Sequence, residues 1–131
     1  MYGISRNLLV MESEHSLCFL SPQPVLPGHL IILPKRTVAQ LSELRPEESL
    51  DLWSVVQRMG THLKSHYTSP SLTIEFKHQA YPNLFLNLIP RKQNDLASND
   101  LIYPMLEPSL STFENPSLIP SVDSLKLSLS S

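Results

Sequence analysis

The reading turns on Pro82-Asn83-Leu84-Phe85-Leu86-Asn87-Leu88-Ile89-Pro90-Arg91-Lys92. Leucine alternates here with amide or aromatic side chains. In a β-strand successive side chains point to opposite faces, so Leu84, Leu86 and Leu88 share one face and Asn83, Phe85 and Asn87 the other. The leucine face reads as core. Two amides around a phenyl ring suit neither solvent nor core, which marks the other face as a candidate site. Pro90 has no N–H for a sheet ladder, so the strand is expected to stop before it, over 83–89.

Working outward, Leu72, Ile74 and Phe76 alternate with Thr73, Glu75 and Lys77 and predict a half-buried strand over 71–76. Before it, Leu52, Val56, Met59 and Leu63 recur at helical spacing behind Pro46-Glu47-Glu48. Proline suits the first helical turn and carboxylates there complement the helix dipole, so a helix is expected from about 46 to 67. Trp53, Met59 and His62 then read as packing and helix surface. Leu30-Ile31-Ile32-Leu33 predicts a buried strand over 28–33, stopped by Pro34, after a segment whose Pro22, Pro24 and Pro27 exclude helix and central strand. Runs 7–12 and 16–21 flank Ser13-Glu14-His15 and suit a hairpin. The fold class expected is α+β, a mostly antiparallel five-stranded sheet with one long helix and room for one short one.

The chain has 131 residues and a net charge of −2, which suits one domain and supplies no field to gather nucleic acid or anionic lipid. A single cysteine, Cys18, excludes an internal disulfide and sits in an apolar run, where a buried inert thiol is expected. Leu8-Leu9-Val10-Met11 is too short for a signal peptide and no apolar run has spanning length. The default is an intracellular protein, cytoplasmic or also nuclear. From Pro104 onward the composition changes to eight serines and four prolines without helical period. The domain is therefore expected to span 1–103, with 104–131 a disordered tail.

Four ordered segments carry a family resemblance. The strand at 82–92 is similar to the signature strand of histidine triad (HIT) proteins, His-x-His-x-His-x-x followed by Pro-Arg, with every histidine replaced. Pro24-Val25-Leu26-Pro27-Gly28-His29-Leu30-Ile31-Ile32-Leu33-Pro34-Lys35-Arg36 resembles the family's Pro-Gly-His segment. Leu44-Arg45-Pro46-Glu47-Glu48 resembles its helix start. Ser71-Leu72-Thr73, Arg91-Lys92 and Ser98-Asn99-Asp100-Leu101-Ile102-Tyr103 resemble the branch containing the fragile histidine triad protein, a diadenosine polyphosphate hydrolase. The resemblance covers about residues 4 to 103.

It implies a HIT-like fold, a homodimer, and a nucleotide or dinucleoside polyphosphate ligand, without cofactor or metal. In the family the middle histidine attacks the α-phosphorus and forms a nucleotidyl-imidazole intermediate. Phe85 stands there, and a phenyl ring has no lone pair with which to attack. Asn83 and Asn87 hold the outer positions, where an amide can hydrogen-bond phosphate but cannot exchange a proton. The family's Gly-rich phosphate loop is reduced to Lys77-His78-Gln79-Ala80-Tyr81-Pro82, without glycine. Ser21 replaces an asparagine that contacts the nucleoside. The candidate nucleotide-binding set is thus Ser21, His29, Lys77, Gln79 and Asn87, with no intact catalytic residue. His29 reads first as structural support.

Three functions remain: a nucleotide-binding protein without hydrolase activity, an active hydrolase with a rearranged site using His78, and an interaction protein whose cleft Phe85 and Tyr81 fill. The first and third separate on Phe85. A ring open over a cleft points to binding, and a ring packed into neighbours to the filled site. His62 and His66 form an i, i+4 pair without nearby acidic or thiol partners, so helix surface is expected rather than a metal site.

Overall fold

The chain is described from a computed structural model that covers residues 6–77, 84–96 and 101–106. After a 3₁₀ turn at Arg6–Leu8 come β1 (Leu9–Glu12), β2 (Ser16–Leu20), β3 (Leu30–Pro34), a second 3₁₀ turn at Leu41–Glu43, α1 (Pro46–His66), β4 (Ser71–Lys77), β5 (Phe85–Arg91) and α2 (Ile102–Met105). The five strands form one antiparallel sheet in the order β1-β2-β3-β5-β4.

One face of the sheet carries α1. Leu52, Val55, Val56, Met59 and Leu63 of the helix meet Cys18 and Leu20 of β2, Leu30 and Ile32 of β3, and Leu86 and Leu88 of β5. The stripe at 52, 56, 59 and 63 is therefore the buried one. Cys18 lies in this core with no exposed surface, and burial pushes its thiol pKa far up, as an inert thiol requires. Leu84 is also fully buried, and its N–H donates to the Val38 carbonyl at 2.6 Å.

Two carboxylates fasten the helix. Glu48 accepts from the Arg45 N–H at 2.8 Å and from the Arg36 guanidinium at 2.7 Å. The Arg36 bonds, then the Arg45 amide, push its pKa down to about 2. One turn later, Asp51 accepts from the Ser13 hydroxyl at 2.5 Å, the Ser16 hydroxyl at 2.8 Å and the His15 N–H at 3.1 Å. That clasp ties the β1–β2 turn to the helix. Burial opposes the Asp51 charge, yet these donors outweigh it and its pKa falls.

Both prolines expected to stop a strand lie inside one. β3 runs through Pro34 and β5 through Pro90 to Arg91. β3 and β5 pair only over Leu30↔Leu88 to Ile32↔Leu86, so Pro34 meets β2 alone and Pro90 meets β4 alone. Each proline occupies a strand end with one neighbour, where its missing N–H costs no ladder bond on the open side. Three beginnings also move. Strand geometry starts at Leu9, not 7, because Arg6–Leu8 is a 3₁₀ turn; at Leu30, not 28; and at Phe85, with Asn83 outside the described residues. Residues 104–106, assigned by composition to the tail, include the end of α2 and Leu106, which packs with Val25, Ile89 and Ile102. Residues 107–131 lie outside the described residues.

Candidate functional site

The far face of the sheet carries the odd residues of β5. Phe85 packs with Leu17 and Phe19 of β2 and Ile31 and Leu33 of β3, and only 8 % of it is exposed. By the criterion set from the sequence, this is a packed ring rather than an open one.

Beside it lies a buried polar pair. His29 ends the Pro-Gly segment and faces Asn87 across 2.7 Å, from imidazole Nε2 to amide Oδ1. On the other side the Val25 N–H donates to His29 Nδ1 at 3.1 Å. Nδ1 must therefore be the acceptor, which leaves the proton on Nε2 to be donated to Asn87. The ring is neutral in this arrangement. Burial pushes its pKa down to about 4, partly countered by the Asn87 bond. The Asn87 amide nitrogen turns toward Glu75 Oε1 of β4 at 3.5 Å, and Lys77 Nζ lies 3.6 Å from the same oxygen. A polar line thus runs from Val25 and His29, just before β3, across β5 and β4 to Lys77.

Ser21 follows β2, and its N–H donates to the His29 carbonyl at 2.9 Å. Its hydroxyl accepts from the Gln23 N–H at 3.1 Å, and it is buried. A crevice lined by Ser21, Gln23, His29, Phe85, Asn87 and α2 encloses about 10 Å³, room for at most one water.

The structure therefore joins four of the sequence-derived positions, Ser21, His29, Phe85 and Asn87, and links Lys77 to them through Glu75. Asn83, Gln79, His78 and Tyr81 lie outside the described residues. Glu75 was not expected at the site. The signal for it was present, since it is the outward member of an alternating strand, but its register against Asn87 is set only by the sheet. Arg91 was read only as part of a motif. In the structure it is buried, gripping Asp95 through Nε at 2.7 Å and Nη2 at 2.9 Å and pushing that carboxyl down to about 2. Within the described residues no group of three His, Cys, Asp or Glu side chains is placed to ligate a metal.

A five-stranded antiparallel sheet, one long helix on one face and a buried histidine–amide pair on the other define an α+β domain of the HIT type. The family model described as HIT domain matches residues 5–94. The bis(5'-adenosyl)-triphosphatase of Dictyostelium discoideum is 31 % identical over 109 residues, covering 79 % of this chain and 73 % of that protein. The bifunctional bis(5'-adenosyl)-triphosphatase/adenylylsulfatase of Arabidopsis thaliana is 31 % identical over 111 residues, covering 81 % of this chain but 62 % of that one. The crystal structure of the C. elegans NitFhit protein superposes with a TM-score of 0.68 at 28 % identity, over 77 % of this chain and 26 % of that one. The chain belongs to the HIT family, in the branch of the bis(5'-adenosyl)-triphosphatases.

Proposed function

We propose that this chain is a HIT-family protein that does not hydrolyse dinucleoside polyphosphates and that acts as a binding or scaffold protein. The observation that carries the proposal is Phe85, buried among Leu17, Phe19, Ile31 and Leu33 at the position where the family resemblance calls for the nucleophile. A phenyl ring offers phosphorus no lone pair in any protonation state. The neighbouring polar groups support the same reading, because His29 and Asn87 are already committed to each other and His29 is held neutral. The buried ring supports the filled-site scaffold as the first reading.

Nucleotide binding without hydrolysis is the second reading. Ser21, Gln23 and the Asn87 edge still meet at one crevice beside Phe85, which favours it. The two readings part in a thermal-shift titration with AMP and diadenosine triphosphate, run beside product analysis by chromatography. Under the first reading neither nucleotide raises the melting temperature; a saturable rise would install the second. Release of AMP above the buffer blank, with an adenylylated peptide containing His78, would replace both with an active hydrolase.

We also propose that the chain forms the homodimer its family implies. Trp53, Leu50 and Ile74 expose apolar surface on α1 and the edge strand β4, and Trp53 stacks edge-on against Phe76 at 5.5 Å. Sedimentation should give twice the chain mass, and Trp53→Glu should give the monomer. We place the protein inside the cell, where Cys18 stays reduced.

A further inference from the structure

Part of the wall of the Phe85 crevice is not sheet. It comes from Met105, the last residue of α2, and Leu106, the residue after it. These two close the space over Ser21, Gln23, Phe85 and Asn87 to about 10 Å³. The two sides of the crevice are fixed with unequal strength. β5 is paired on both sides, with β3 and with β4, and Asn87 is bonded to His29. α2 has four residues, one of them Pro104. A helix so short has no stability of its own and keeps its place through tertiary contacts. Those contacts come from Ile102 and Leu106, which pack with Val25 and Ile89. Leu101, Pro104 and Met105 are exposed. A segment with so few buried apolar contacts opens at less cost than the sheet beneath it.

The chemistry under α2 is uncharged. Within the described residues no ionised side chain lines the crevice. His29 is neutral, with its Nδ1 accepting from the Val25 N–H. Lys77 of β4 lies against Glu75, and Arg91 of β5 grips Asp95. A phosphate enclosed here would have no counter-charge, which is costly. An uncharged ring with polar edges would meet the Phe85 ring, the Ser21 hydroxyl and the Asn87 amide.

We propose that α2 is a displaceable cover on this crevice, and that the ligand which displaces it is an uncharged nucleoside rather than a nucleotide. The inference rests on the second reading above, in which the crevice binds, and adds how that site is closed and which charge it admits. The ligand enters only when α2 lifts, so its apparent affinity is reduced to the open fraction of the molecules. By the same linkage, bound ligand raises the open fraction.

The probe is adenosine, with AMP as its charged counterpart, titrated into the ¹⁵N-labelled full chain. Saturable amide shifts are expected at Ser21 and Asn87. Adenosine should also speed hydrogen exchange of the Leu106 amide, whose 3.1 Å bond to the Ile102 carbonyl breaks as α2 lifts. Leu106→Ala loosens the cover and should bind adenosine about ten-fold more tightly. Met105→Ala, at an exposed position, keeps the comparison if Leu106→Ala does not fold, and should bind about three-fold more tightly. AMP should bind each protein about five-fold more weakly than adenosine. Equal adenosine affinity with and without the substitutions, at unchanged Leu106 exchange, overturns the cover and leaves binding at the crevice standing. AMP binding more tightly than adenosine overturns the uncharged class. No saturable binding of either compound by any of these proteins overturns this inference and the binding reading together, leaving the scaffold.

Discussion

The two faces of β5 are built on different rules, though their residues alternate along one strand. On the helix face Leu86 and Leu88 enter a dry core drawn from β1, β2, β3 and α1, where only volume and shape count. On the far face Phe85 and Asn87 lie in a layer half apolar and half hydrogen-bonded, where each polar atom is held by a named partner. The helix face cannot accept a polar group. The far face cannot lose one half of a polar pair. The fold is fixed by the first, so the chemistry of the second could change without unfolding the domain.

The largest effect should come from carrying the far-face rule to the helix face. Leu86→Asn removes a fully buried leucine and adds an amide with no partner, for a loss of roughly 3–5 kcal/mol in denaturant unfolding. An unchanged midpoint would mean that the register is off by one residue.

The next effect is in pH. The His29 pKa falls from an ordinary 6.5 to about 4 on folding. The unfolded chain therefore binds a proton that the native ring refuses, and stability drops as pH falls from 6.5 toward 4. The shift is worth up to about 3 kcal/mol at this buried site. Below that window Glu48 and Asp95, both held at about 2, lose their ion pairs and add to the loss. In His29→Leu the slope between pH 6.5 and 4.5 should flatten; an equally steep slope there would assign it to another group.

A smaller effect tests the pair itself. Asn87→Leu leaves the His29 Nε2–H without its acceptor and should cost about 1–3 kcal/mol. It also removes a contact that raises the His29 pKa, so the native His29 titration should move lower, while acid unfolding of the less stable variant should set in at higher pH. A native His29 titration that moved higher, read by NMR, would contradict the tautomer assigned here. The smallest effect is expected from Phe85→His. One regained member of a catalytic unit contributes little without the others, so turnover of diadenosine triphosphate should stay at the blank. Turnover near that of an intact family member would show that residues 77–82 still cradle phosphate.

What the sequence disclosed follows from the range of each signal. The alternation at 84–88 and the stripe at 52, 56, 59 and 63 are local, and both faces came out as read. The prolines misled because their effect depends on whether a partner strand is present, which Pro34 and Pro90 do not encode. His29 and Asn87 were each singled out, but their bond spans 58 positions and is created by the pairing of β3 with β5. Glu48 read only as a helix-start acid, since its partner Arg36 lies in another element, and the Asp51 clasp to Ser13 likewise exists only once two elements meet.

The strand order β1-β2-β3-β5-β4 has a consequence for how the protein is made. The strand made last is inserted between two made earlier, so β3 and β4 both wait with open edges while the ribosome delivers residues up to Arg91. Long-range pairing of this kind is slow, and unpaired edges invite association with other chains. Nascent chains arrested before Phe85 should be digested by protease throughout β4, and protection should appear in one step once β5 has left the exit tunnel.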